Sequence, residues 1–330
     1  MNKAHISALC VTRNANFLDF ARYLRSTKFD LLPRALMGAP SPDVRHLLRN
    51  EMSRAWWWLN LKKRLGSYSR KYDIVFCDWA DSFAAMITQA DIEVPIVVRL
   101  HAYEIDHPEL LNAINWERVD TLVTVSDYMK RLVDQSPHIH CTKNVTIHHG
   151  IDLEKIPFKP SNSGLLCTYA LFDQPQKRVY DLMLALRKET LHIGGRGTIA
   201  RALDSAIKRF DLHHVLDGYA KIPDWLWDKE YFFMHSLDES CGVSLLESMA
   251  SGLICFSHDY EASKEILPQR YRYVYDDELL TLLAESRALD QSERLEVKRG
   301  LRNIVETKYD ARDQAEQFDA LFEKVTKECQ

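Results

Sequence analysis

Glu239 and Glu247, with seven residues between them, frame the stretch SLDESCGVSLLESMASG, Ser236 to Gly252. Two carboxylates in this arrangement can accept hydrogen bonds from different hydroxyls of one polyhydroxylated ligand. The backbone N–H groups of Cys241, Gly242, Val243 and Ser244 lie where a helix would begin, and a helix start receives phosphate through its unpaired donors. The same residues also suit helix capping, or the paired general acid and base of a hydrolase. Spacing alone leaves all three readings open.

These residues need a strand before them and a helix after. The apolar run in EYFFMHS predicts a buried strand, the residues after Gly242 predict a short helix, and Gly252 predicts its end before a further strand, LICF. The same alternation runs along the whole chain. ISALCVT, KYDIVFCD, VPIVVRL, RVDTLVTV and NVTIHHGID read as strands of a first series, with helices through NFLDFARYLRS, DSFAAMI and SDYMKRLVDQ. Ser126 and Asp127 begin the last of these helices. A second series reads LLCTYA, KRVYDLMLALRKE, TLHIGG, RALDSAIKRFDL, VLDGYA and EYFFMHS. Strands alternating with helices at this spacing predict an α/β fold with parallel sheets covered by helices. FKPSNSG, residues 158–164, clusters Pro, Ser, Asn and Gly between the series, which predicts domains over 1–160 and 161–330. Ligands in such sheets bind beyond the carboxyl ends of strands, so the polar residues that follow each strand take priority.

Composition excludes several classes. A chain of 330 residues with 46% hydrophobic content can build two cores, which argues against a disordered adaptor. Its seven cysteines are odd in number and widely spaced, unlike a disulfide framework or a zinc cluster. No apolar run reaches the roughly 18 residues of a membrane span, and the N-terminal apolar stretch is too short for a signal peptide, so a cytoplasmic location is expected. Residues 1–160 carry 21 basic against 18 acidic residues, or +3, and the remainder 22 against 29, or −7, which favours the first half for an anionic acceptor or a membrane surface.

Other groupings carry weaker signals. Gly194, Gly195 and Gly197 follow a strand-like run, where glycine serves a sharp turn or a phosphate or base; a full dinucleotide fingerprint is absent. Trp225 and Trp227 could flank a nucleobase, although core packing accounts for them more simply. The neighbouring pairs His148–His149 and His213–His214 diverge in direction and make no metal site. Residues 54–71 bring Arg54, Lys62, Lys63, Arg64, Arg70 and Lys71 together with Trp56 to Trp58 and no acidic residue. Such a segment suits either an anionic membrane surface or a solvated basic face over buried tryptophans; nothing in it points to nucleic acid.

The stretch around Glu239 and Glu247 resembles the signature of the GT4-type retaining glycosyltransferases, whose GT-B architecture has two facing Rossmann-like domains with an interdomain cleft. Gly242 matches the glycine of that signature, and LLESMASG the helix and stop that follow. VVRLHAYEID, VDTLVTVSDYMKRLV and VTIHHGIDLEKIPF match further segments in order, with His149 where Asn is common and Gly150 and Asp152 retained. The resemblance implies that Glu239 meets the donor sugar, Glu247 the nucleotide ribose, and Lys177 the donor diphosphate. It implies that His101 reaches the reaction centre, with Glu104 a weaker match beside it. Gly194, Gly195 and Cys241 to Ser244 are then donor-binding positions. Two departures stand out: Phe172 occupies the place of an Arg five residues before Lys177, leaving Arg178 or Arg196 as replacements, and RNAN, Arg13 to Asn16, replaces a glycine-rich loop.

The resemblance thus implies transfer of a hexose-like sugar from a nucleotide diphosphate sugar, UDP- or GDP-linked, to an acceptor hydroxyl with retained anomeric configuration. No tightly bound cofactor and no metal are implied. The expected acceptor is a glycan or lipid-linked precursor of a bacterial surface polysaccharide or lipopolysaccharide, met at the cytoplasmic membrane face through residues 54–71. The last helix is a candidate to pack back on the N-terminal domain. The alternatives are a silent sugar-nucleotide-binding module and a phosphorylase or hydrolase of the same fold.

Overall fold

The computed structural model describes residues 5–12, 18–33 and 51–329, with the backbone alone for 51–58. The chain forms two compact units, residues 1–148 with 312–330, and residues 149–311. Among the described residues each holds one six-stranded sheet whose paired strands are parallel. No helix among them is long and apolar enough to cross a membrane.

The first sheet has the order β2-β1-β3-β4-β5-β6, from β1 (Ile6–Val11), β2 (Thr27–Leu31), β3 (Ile74–Cys77), β4 (Ile96–Leu100), β5 (Thr121–Thr124) and β6 (Asn144–Thr146). Strands β3, β4 and β5 are buried along their whole length, as continuous apolar runs in a sheet covered on both faces should be. Ser126 caps the helix Asp127–Gln135 by accepting from the Met129 N–H at 3.2 Å.

The helix expected through NFLDFARYLRS is not formed where the chain is described. A 3-10 turn at Asp19–Tyr23 leads into β2, which pairs with β1. Sheet pairing and the burial of Phe20 override the helical pattern of the sequence. The loop Arg13 to Asn16 lies outside the described residues.

The C-terminal helix Ala311–Glu328 completes the core of this unit. Phe318 stacks on Phe20 with ring centres 4.4 Å apart, and Phe318 and Phe322 both meet Phe76. The spacing of four residues places both rings on one helix face. Asp319 accepts from the Arg25 and Ser26 N–H groups at 2.6 and 3.1 Å, fixing the same helix beside β2.

The basic segment forms the helix Glu51–Ser69, with Leu61 and Leu65 buried and Lys63 and Arg64 exposed. Arg70 pairs with Glu93 at 2.5 Å. The side chains of Arg54 and Trp56 to Trp58 lie outside the described residues.

The second sheet has the order β12-β11-β10-β7-β8-β9, from β7 (Leu166–Leu171), β8 (Leu191–Arg196), β9 (Val215–Gly218), β10 (Tyr231–Met234), β11 (Ile254–His258) and β12 (Arg272–Tyr273). The order reverses at β7, which lies between β10 and β8. The segment at 158–164 is anchored by Lys298, whose buried ammonium donates to Ser161 O, Asn162 Oδ1 and Glu230 Oε1 at 2.5, 3.0 and 2.8 Å. Three acceptors supply the hydrogen bonds that a buried ammonium loses on leaving water.

Phe318→Ala is expected to destabilise the unit of residues 1–148 and 312–330 by about 3–5 kcal/mol, because it empties a fully buried site. Urea unfolding followed by far-UV circular dichroism would measure the loss. A change below about 1 kcal/mol would show that the helix contributes little to this core.

Candidate functional site

In the second unit the candidate residues gather at the carboxyl ends of β7, β8 and β10, where the strand order reverses. Met234 ends β10, and Ser236 to Cys241 form the loop to the helix Val243–Ser251. Gly242 starts that helix with φ of +53°, and a Cβ there would come within 2.8 Å of the Tyr260 hydroxyl. Cys241 is buried, and Val243 and Ser244 form the first turn.

Glu239 is paired with Lys177. Its Oε1 accepts from the Lys177 ammonium and, at 2.7 Å, from the Ser236 hydroxyl. The side chains of Lys177 and Glu239 retain 18% and 15% exposure, so the pair is shielded yet reachable. Lys177 ends the 3-10 turn Pro175–Lys177, held to the Glu239 loop by the Leu237 N–H donating to Gln176 O at 2.8 Å.

Glu247 faces a residue that the sequence reading did not single out. The Tyr169 hydroxyl lies 2.5 Å from Glu247 Oε2 and 3.2 Å from Ser244 O. Burial, then the neighbouring Glu247 carboxylate, pushes the Tyr169 phenol well above its usual range, so it remains a proton donor. Its only sequence signal is a tyrosine near the end of a predicted strand.

Gly194 and Gly195, expected after the strand, lie within β8, and packing within the unit accounts for them. A Cβ on Gly194 would meet Ala220 at 2.7 Å and the Trp225 ring at 3.1 Å. On Gly195, at φ of +147°, it would strike Ala170 O at 2.1 Å and the Phe172 ring at 2.6 Å. Phe172, standing where the resembled family carries an Arg, is therefore buried packing against the end of β8. Of the two replacements considered, Arg178 pairs with Asp181 at 2.7 Å, and Arg196 lies exposed with its guanidinium 5.8 Å from the Tyr219 ring centre.

Trp225 and Trp227 are both half-buried. Trp225 Nε1 donates to Asp217 at 3.1 Å, and the Lys159 ammonium sits 3.4 Å from the Trp227 ring centre. His214 is satisfied within the fold, its Nε2 donating to Met183 O and its Nδ1 accepting from the Leu191 N–H.

In the first unit His101 directly follows β4 and Asp78 follows β3. His101 Nε2 donates to Asp78 O at 3.2 Å, since a carbonyl only accepts, and its ring stacks on Trp79 at 4.2 Å. Glu104, fully buried, accepts from the His101 and Ala80 N–H groups at 3.1 and 3.0 Å and joins the two loops. Burial pushes its carboxyl up to about 8. Beneath them Asp78 pairs with the fully buried Arg99 and accepts from Thr12 at 2.8 Å. Phe20, Phe76 and Phe318 surround that guanidinium within 5.8 Å of their ring centres.

Residues 17–155 match the family model described as Glycosyltransferase Family 4. No curated protein matches the sequence. Over 97% of this chain and 100% of the other, the structure is similar to that of HepE from Anabaena, solved with UDP and glucose, at a TM-score of 0.77 and 14% identity. A glycosyltransferase from Rickettsia africae is similar over 99% of this chain and 100% of its own, with a TM-score of 0.74 and 14% identity. TarM of S. aureus is similar over 79% of this chain and 59% of its own, with a TM-score of 0.65 and 18% identity. The likeness to the GT4 family is borne out in the family match over residues 17–155, and the expected GT-B fold across nearly the whole chain.

The histidine after β10 provides a pH test of the second unit. His235 Nδ1 lies 2.8 Å from the Tyr273 hydroxyl, and burial, with Arg178 and His258 nearby, pushes its imidazole down to about 4. The unfolded imidazole protonates near 6.5, whereas the native one resists until about 4. Stability is therefore expected to fall as pH drops through that window, with no contribution from this group above it. Ring-proton NMR should find His235 titrating near 4; a midpoint near 6.5 would contradict the burial argument.

Proposed function

We propose that the protein transfers a sugar from a nucleotide diphosphate sugar to an acceptor hydroxyl with retained configuration. The observation that carries this reading is the Lys177–Glu239–Ser236 contact, which places a cation and a hydroxyl-binding carboxylate together at a helix start beyond the strand ends. A diphosphate leaving group and a sugar need those two chemistries side by side. HepE, similar in fold, was solved with UDP and with UDP-glucose, which supports a UDP-sugar as the first donor to test.

In the proposed step the bond from the anomeric carbon to the diphosphate oxygen breaks as the acceptor oxygen bonds to that carbon on the same face. The acceptor proton passes to the departing phosphate oxygen. Lys177 and the N–H groups of Gly242 to Ser244 stabilise the charge that develops there. Glu239 orients sugar hydroxyls, Glu247 takes the ribose, and the backbone at Gly194 and Gly195 lines the donor site. His101 is assigned to the reaction centre, where its bond to Asp78 O fixes its ring. The assigned acceptor is a lipid-linked or surface-glycan precursor at the cytoplasmic membrane face, met through the cations of residues 54–71.

Buried Phe172, in place of an arginine, favours one rival, a sugar-nucleotide-binding module without turnover. Ligand-observed NMR against UDP-, GDP-, ADP- and TDP-sugars, followed by single-turnover transfer assays, separates the two. The wild type is expected to select one donor and turn it over, and Glu247→Ala to lose binding. Tight binding without turnover across suitable acceptors would favour the rival. Lys177→Met is expected to lower kcat/KM by about 10²–10³, the scale for losing one preorganised electrostatic group. Unchanged kcat/KM would remove Lys177 from the phosphate role.

A further inference from the structure

We infer that Tyr169 is a positioning residue that fixes the acceptor direction of Glu247 and thereby sets how strictly the site demands ribose hydroxyls. The inference rests on the assignment of Glu247 to the ribose. Tyr169 lies near the end of β7 with Gly194 as its register partner on β8. Because Gly194 has no side chain, the Trp225 ring occupies that space and meets Tyr169 edge-on, with ring centres 5.9 Å apart and planes at 79°. The Phe232 ring packs 5.5 Å away. Tyr169 is therefore held by rings on neighbouring segments, and Trp225 is itself held by its bond to Asp217.

A phenol has one proton to give. At 2.5 Å from Glu247 Oε2 and 3.2 Å from Ser244 O, that proton goes chiefly to the carboxylate, with the carbonyl as the longer arm. The bond occupies one lone pair of Oε2 and holds the carboxylate plane against the start of its own helix. Ligand hydroxyls then meet acceptors of fixed direction. Without that bond the half-buried Glu247 carboxylate would turn more freely about its terminal torsion and accept hydroxyls less selectively. Tyr169→Phe removes only the hydroxyl and keeps the ring packing.

Isothermal titration with UDP and with its 2′,3′-dideoxy analogue tests this in wild type, Tyr169→Phe, Glu247→Gln and the double variant. The expected result is a wild-type preference for UDP that falls at least fivefold in Tyr169→Phe, while affinity for the dideoxy analogue stays within about twofold. Glu247→Gln should collapse the preference, and adding Tyr169→Phe should change it no further. Glu247→Asp, whose shorter chain withdraws the carboxylate from the phenol, should repeat the loss seen in Tyr169→Phe without altering the tyrosine. A wild-type preference retained in Tyr169→Phe or in Glu247→Asp, alongside a collapsed one in Glu247→Gln, overturns this inference alone. Equal weakening toward both ligands in Tyr169→Phe also overturns it, as a merely structural effect. No UDP binding by the wild type, or an unchanged preference in Glu247→Gln, overturns the ribose assignment and this inference with it.

Discussion

Parallel strands all leave a sheet at the same edge, and the candidate chemistry follows from that constraint. In the second unit β7, β8 and β10 deliver Tyr169, Gly194 and Gly195 at the end of β8, and Ser236 to Glu239 to one edge, although the sequence separates the first from the last by some seventy residues. The reversal of strand order at β7 sends neighbouring loops to opposite sides and opens space between them. In the first unit the same rule brings Asp78 and His101 into contact from the ends of β3 and β4.

The edge in the first unit rests on a buried ion pair with its partners in place. Asp78 and Arg99 lie fully buried, and breaking such a pair by removing one partner typically costs about 3–5 kcal/mol. Burial raises the Asp78 carboxyl while the Arg99 guanidinium and the Thr12 hydroxyl oppose it. In the second unit Lys298 acts at the opposite end of the sheet, tying the helix Gln291–Lys308 to the segment at 158–164 and to Glu230, which precede β7 and β10.

Local signals were legible where the physics is local. Buried strands appeared as apolar runs, Ser126 marked a helix start, and Gly252 ended the helix after Glu239 in the left-handed conformation at φ of +97°. The family likeness was legible because the Glu239–Glu247 spacing lies within one loop and helix. Relations across the sheet were not. Lys177 and Glu239 are 62 residues apart, and Tyr169 and Glu247 are 78 apart, so only the folded register brings each pair together. Strand β2 was missed because its residues become a strand by pairing with β1, and Phe172 became intelligible only against Gly195.

The helix Ala311–Glu328 belongs to the core of the unit that the chain begins, while residues 149–311 form the other unit as one continuous stretch. A ribosome making this protein from its N-terminus would therefore finish the second unit first. During that interval the aromatic site around Phe20, Phe29 and Phe76 would lack Phe318 and Phe322. A nascent chain with an open apolar sheet face is a natural client for chaperones, and the event that closes that face is the emergence of the helix Ala311–Glu328.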